Sequence, residues 1–226
     1  MTTSATAIHS IAFIDAAVAD SQTLAMGALP GVEVILLDST QDGIAQITSA
    51  LQGRSDVDSV QIFAHGAPGS LQIGSTQLNT ETLEGYASQL QQWRSAFSPT
   101  GDLLLYGCDV TANGTALIDR LSQLTGTDVA ASTNSTGSAA WGGDWNLEAT
   151  TGEITVPNSL RTENFQGVLG DITVTTAADS GAGSLRAAIA QARSGDTIRF
   201  ASNLQGQTIR LTSGEIGIPA GKNLTI

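Results

Sequence analysis

Cysteine is almost missing from this chain: Cys108 is the only one in 226 residues, which excludes an internal disulfide framework. Basic residues are scarce too. Nine Lys and Arg stand against 21 Asp and Glu, giving a net charge of −12, and such a chain repels nucleic-acid backbones and anionic lipid surfaces alike. No apolar run reaches the ~18 residues of a membrane span. The opening stretch, MTTSATAIHSIAFIDAAVAD, has no basic segment and carries Asp15 and Asp20 among its apolar residues. It reads as mature protein and not as a secretory signal peptide. No His, Cys or carboxylate cluster has metal-ligand spacing, so neither a zinc site nor any cofactor is expected. Calcium stays open as a ligand, because Asp and Asn are plentiful in the loops.

What is present is a hydrophobic fraction of 41%, enough for one sizeable core and a second small unit. Short β-type runs alternate with helical stretches. Strands are expected at 8–15, 32–38, 57–66, 102–107 and 128–133, and helices at 20–29, 42–52, 80–97 and 117–124. Leu83, Tyr86, Leu90, Trp93 and Phe97 trace one helical face, which reads as core and not as a ligand box. The run 102–107 is apolar without alternation, as in strands covered on both faces. The segment 71–79 has hairpin character around Gly74-Ser75. Ser135-Thr136-Gly137 resembles a phosphate loop but leads into no helix, and is set aside. These βα alternations predict an α/β domain over 1–160, a doubly wound, mostly parallel sheet of caspase or flavodoxin type with strand order 2-1-3-4-5.

Residues 161–170 read as a linker, and composition changes after them. In 171–226 a short helix near 184–193 lies between β-type segments, followed by TIRLT, EIGI and NLTI. Short strands at near-even spacing suggest the first rungs of a solenoid, whose bare end implies a longer chain beyond.

Two positions carry chemistry. The third strand ends at Ala64-His65-Gly66 and the fourth at Tyr106-Gly107-Cys108-Asp109. Parallel sheets gather ligands at the carboxyl ends of their strands, and one helical crossover makes these two strands neighbours. Cys108 as nucleophile and His65 as base form the minimum unit for acyl transfer. The N–H groups of Gly66 and Cys108 together would stabilise an oxyanion. Asp109 and Asp144 are candidates to flank the cleft. An acidic cleft favours a basic side chain before the scissile bond, which points to cutting after Arg161, in the linker, the alternative being an uncut surface spacer.

An apolar strand ending in His-Gly, then one ending in Cys, resembles the caspase-like superfamily of cysteine peptidases, which includes caspases, gingipains, separases and the bacterial CHAT peptidases. FAHGAPGSLQIGSTQLNTETL is most similar to the CHAT branch. The resemblance implies His65 as base and Cys108 as nucleophile. The chain departs from the pattern at Gly107, where many relatives carry alanine, and at Asp109. Residues 9–160, with the ending ASTNSTGSAAWGGDWNLEATTGEI, resemble an uncharacterised N-terminal domain of large bacterial surface and adhesin-like proteins, domain of unknown function 4347. ADSGAGSLRAAIAQARSGDTIRF resembles the N-terminal cap of right-handed parallel β-helices in exported proteins.

The leading expectation is therefore a cysteine endopeptidase domain, self-processing or not, at the head of a large exported surface protein. Its partners would be a polypeptide substrate or its own linker, and the remainder of a β-helical chain; its place would be extracellular or at the cell surface. The alternative is a non-catalytic module of the same fold serving folding or attachment of an adhesin. A flavodoxin-like nucleotide binder is set aside, because DAAVADSQ after the first strand holds no Gly-rich loop.

Overall fold

Side chains that alternate between two apolar faces turn the short runs of the first unit into a sheet buried on both sides. The computed structural model describes residues 9–18, 20–170, 172–174, 176–181, 183–192, 198–200, 204–218, 224 and 226. They divide into two units, Met1–Gly170 and Asp171–Ile226.

In the first unit the chain runs β1 (Ser10–Asp15), α1 (Ser21–Met26), β2 (Glu33–Leu37), α2 (Gly43–Leu51), β3 (Val57–Phe63), β4 (His65–Ala67), β5 (Ser70–Ile73) and β6 (Thr76–Asn79). A 3₁₀ turn (Leu83–Tyr86) leads into α3 (Ala87–Trp93), followed by β7 (Phe97–Tyr106), α4 (Ala116–Thr125), β8 (Asp128–Ala131) and β9 (Ala149–Thr150). The main sheet has the order β2-β1-β3-β7-β8-β9. All its pairs are parallel except β8–β9. β4, β5 and β6 form a separate antiparallel sheet. The unit is an α/β fold with a mostly parallel sheet and flanking helices.

Ile11, Phe13, Val60, Ile62, Leu103 and Leu105 project to one face, where Ile44, Ile47, Leu90, Trp93, Leu117 and Leu121 of α2, α3 and α4 cover them. Ala12, Ile14, Phe63, Leu104 and Tyr106 project to the other, against Leu24 of α1 and Leu160, Phe165 and Leu169. Helix 80–97 is shorter than its apolar spacing predicts. Phe97 opens β7 by pairing with Val57, because the sheet offers it a ladder that one more helical turn would forgo.

The second face is where the chain departs most from its sequence pattern. Residues 161–170, read as a linker, lie inside the first unit. Buried polar side chains of the sheet hold the segment leading into them. Asp102 accepts the N–H groups of Thr155 at 2.7 Å and Val156 at 3.1 Å. Gln61 donates to the Pro157 carbonyl and accepts from the Ser159 N–H, both at 2.9 Å. The Arg161 N–H donates to the Gly27 carbonyl at 2.7 Å. Phe165 then meets the Trp145 ring edge-on, centroids 5.6 Å apart, and Trp145 leans on the stacked Phe63–Tyr106 pair. Extended chain thus completes a layer that a helix would otherwise supply.

The second unit pairs β10 (Ile172–Val174) in parallel with β11 (Ile198–Phe200), with α5 (Leu185–Gln191) between them in sequence. The Ser184 side chain caps α5 by accepting the Ala187 N–H. Val174, Ala188, Ile189, Ala192, Ile198 and Leu204 form its core. TIRLT and EIGI, expected as strands, carry no strand assignment, and Leu211 and Ile218 are exposed. Asn223 and Thr225 of NLTI lie outside the described residues. Asp179 anchors the segment instead, accepting from the Ser213 hydroxyl at 2.5 Å, from Arg186 at 2.8 Å and from the Ser213 N–H at 2.7 Å. Those bonds hold its carboxyl well below the ordinary Asp range.

Candidate active site

β3 and β7 are paired up to Phe63 and Tyr106, and the Ala64 N–H still bonds the Tyr106 carbonyl at 3.0 Å. His65-Gly66 and Gly107-Cys108 therefore leave neighbouring strands at the same edge. His65 turns out of the main sheet as the first residue of β4. Asp109 follows Cys108 in the left-handed region, φ 59°, which Asp tolerates better than most residues. That turn ends the strand at the cysteine.

The imidazole is fixed from one side. His65 Nε2 lies 3.2 Å from the Ala17 carbonyl; a carbonyl can only accept, so Nε2 carries a proton, and in the neutral ring the lone pair is on Nδ1. Nδ1 is buried and has no hydrogen-bond partner. Asp15 holds the turn that presents Ala17, accepting the Ala17 N–H at 2.8 Å through Oδ1. Its Oδ2 accepts the Gly74 N–H of the β5–β6 turn.

Cys108 is 4% exposed. Its Sγ accepts the Thr136 N–H at 3.2 Å and lies 3.5 Å from the Thr136 carbonyl. Thr136 and Ser132 hydroxyls both donate to the Gly107 carbonyl, at 3.0 and 2.6 Å, so the Ser132–Thr136 loop forms the floor under the thiol. The stretch set aside as a phosphate loop has this structural role. Burial pushes the thiol up to about 12, with the Asp109 charge adding to the shift. It rests as a neutral thiol, and it shares no hydrogen bond with His65, whose Nδ1 is free.

The N–H groups of Gly66 and Cys108 converge. Both donate to a single oxygen, the carbonyl of Leu169, at 2.8 and 2.9 Å. Those are the distances at which N–H pairs stabilise a developing oxyanion. Only glycine fits at position 66, since a Cβ there would fall 2.3 Å from the Cys108 carbonyl oxygen and 2.5 Å from its nitrogen.

Of the two acidic candidates, Asp109 adjoins the cysteine, and partial burial raises its carboxyl. Asp144 serves the loop instead: it accepts from Asn134 Nδ2 at 3.2 Å and from the Asn146 N–H at 2.8 Å. Asp15, Ala17, Thr136 and Leu169 escape sequence reasoning. Only Asp15 carries a signal, a carboxylate closing an otherwise apolar strand. A cleft of about 400 Å³ lined by Pro68, Gly69, Gln77 and Asn113 includes neither His65 nor Cys108.

Among the described residues, no helix is long and apolar enough to cross a membrane, and no three His, Cys, Asp or Glu gather as a metal site. No curated protein and no solved structure matches the chain significantly. A family model does match, over residues 11–169, and covers the sheet, the His65–Cys108 edge and nearly all of the segment that crosses it: the chain belongs to the family described as Domain of unknown function (DUF4347).

Proposed function

We propose that the first unit is a cysteine endopeptidase domain of the caspase-like kind, with Cys108 as nucleophile and His65 as base. One observation carries the reading. Two backbone N–H groups from adjacent strand ends, Gly66 and Cys108, aim at one carbonyl oxygen beside the only thiol of the chain. In the reaction, Sγ attacks a peptide carbonyl carbon while Nδ1 of His65 takes the thiol proton. That proton passes to the leaving amine, and water then hydrolyses the thioester. Because the resting thiol is neutral, deprotonation accompanies attack. The strand order and the CHAT-like His-Gly segment support the superfamily assignment.

The wider setting is part of the proposal: the domain heads a large exported surface or adhesin-like protein and acts outside the cell or at its surface. The likeness of residues 178–200 to a β-helix cap, and the parallel β10–β11 pair, support a right-handed β-helix following it. A second reading, a non-catalytic module of the same fold, draws on the deep burial and raised thiol of Cys108.

A peptidyl acyloxymethyl ketone ending in leucine, the residue whose carbonyl the donor pair holds, separates the two when applied to Leu169→Asp, in which the site is freed of its own chain. The peptidase reading expects one covalent adduct on Cys108, slowed about 10²–10⁴-fold in His65→Ala. An adduct rate indifferent to His65 returns the domain to the module reading.

A further inference from the structure

The oxygen held by Gly66 and Cys108 belongs to the chain itself, and so does the strand that delivers it. Gly167 to Leu169 run antiparallel beside Thr136 to Ser138. The Ser138 N–H donates to the Gly167 carbonyl and the Leu169 N–H to the Thr136 carbonyl, both at 2.8 Å, with a bridge between Gly137 and Val168. Adding an extended peptide to an edge in this way is how peptide-binding sites gain affinity from main-chain bonds while side-chain pockets set specificity. The Leu169 side chain is the pocketed one, fully buried among Phe63, Tyr106 and Cys108. Phe165, four residues back, anchors the strand on Trp145.

Beyond the carbonyl the chain crosses the thiol. Gly170 bridges to Gly66 and lies so close to Cys108 that a Cβ would fall 2.7 Å from the cysteine Cβ and 2.8 Å from Sγ. A residue with a side chain could not pass there without moving the nucleophile. Carbonyl oxygen in the donor pair, apolar side chain seated and a bare glycine against the sulfur together describe a bound substrate with its scissile bond in register.

We infer that the site cuts its own chain between Leu169 and Gly170, separating the first unit from the second. The inference rests on the peptidase reading and gives it a substrate: an extended segment with leucine before the bond and glycine after it. Sγ bonds to the Leu169 carbonyl carbon, and the oxygen takes up negative charge between the Gly66 and Cys108 N–H groups. The Leu169–Gly170 C–N bond breaks, and the thiol proton leaves through His65 Nδ1 with the Gly170 amine. Water then releases a Leu169 carboxylate and restores the thiol. Charge complementarity had pointed to Arg161. Its N–H is tied to Gly27, and the oxygen in the donor pair is Leu169's.

The test is to purify the 226-residue chain, incubate it at neutral pH and map termini by mass spectrometry. The expected products are 1–169 and 170–226. Cutting should be lost in Cys108→Ala, slowed about 10²–10⁴-fold in His65→Ala, and suppressed in Gly170→Ala, each variant checked for native circular dichroism. A Cys108-dependent cut at another bond overturns the inference and leaves the peptidase reading standing. So does an intact chain whose Leu169→Asp variant, with the segment dislodged, takes the ketone adduct on Cys108; the segment is then an inhibitory plug. An intact chain whose Leu169→Asp variant takes no adduct overturns both.

Discussion

Ionisation of the single thiol is the most quantitative consequence of this geometry. Burial, reinforced by the Asp109 charge, raises Cys108 to about 12 from an ordinary 9.0. Each unit is a tenfold change in the ionised fraction, so at pH 7 the thiolate is about a thousandfold rarer than in an unfolded chain. In freshly purified His65→Ala, where cutting is slowed about 10²–10⁴-fold, iodoacetamide should modify native Cys108 about a thousandfold more slowly at pH 7 than in urea. The native rate should climb about tenfold per pH unit from 7 to 10. No other thiol is present, so whole-protein mass reads the one site. The same shift has a stability side. A thiol whose folded value is raised stabilises the fold fully below the unfolded value and loses that contribution as pH rises through the folded one. About 4 kcal/mol would therefore be lost between pH 9 and 12. The buried Tyr106 phenol, also raised, adds to the loss in the same direction. A native labelling rate within about tenfold of the unfolded rate at pH 7, or a plateau below pH 9, would refute the burial account.

Other consequences are narrower. Asp15→Ala should destabilise the unit by about 1–3 kcal/mol in urea titration and slow self-cutting, because the Ala17 carbonyl that orients His65 and the β5–β6 turn both lose their tie; unchanged cutting in a destabilised variant would leave Asp15 purely structural. Phe165→Ala removes a ring that is 1% exposed and should cost about 3–5 kcal/mol. Hydrogen exchange at the Gly66 and Cys108 amides should quicken as Leu169 lifts off them, and unaltered protection would show that the segment is held without its anchor. Asp109→Asn removes the charge that helps raise the thiol and should speed alkylation of the uncut chain; a slower reaction contradicts the assigned sign. In the second unit, the lowered Asp179 carboxyl contributes stability above the ordinary Asp value of 3.8, and that contribution is lost as pH falls below it. Acid should therefore loosen the Thr212–Ser213 contacts, which amide shifts of Ser213 would report.

The parts of this molecule visible in its sequence are those governed by local pattern. Leu103, Leu104 and Leu105 announce a strand covered on both faces, and a glycine beside each of His65 and Cys108 marks positions where backbone must come close. The segment from 161 to 170 is hidden for the converse reason. Arg161, Thr162, Glu163, Asn164 and Gln166 make it polar, and its apolar anchors Leu160, Phe165 and Leu169 follow neither a two- nor a 3.6-residue period. Its conformation comes from distant partners: Gln61, Asp102 and Trp145 guide it in, and Gly66 and Cys108 receive it. Phe97 shows the same competition on a smaller scale, since its helical spacing yields to a partner strand at Val57. The charge argument for Arg161 meets the same limit: net charge says nothing of which carbonyl reaches the donor pair, and that carbonyl belongs to Leu169, buried in the cluster that also holds Phe63 and Tyr106.

Hydrolysis of a peptide bond by Cys108 and His65 is the central claim, and turnover of an unrelated substrate tests it most directly. Fluorescently labelled casein should be cut by the wild-type protein once its own chain has been processed, and left intact by Cys108→Ala and by His65→Ala at equal concentration and verified fold. Equal release from all three proteins, or none from a wild-type protein already cut between Leu169 and Gly170, would contradict a peptidase that acts beyond its own chain; a chain that stays intact and a Leu169→Asp variant that releases nothing would together contradict the dyad itself.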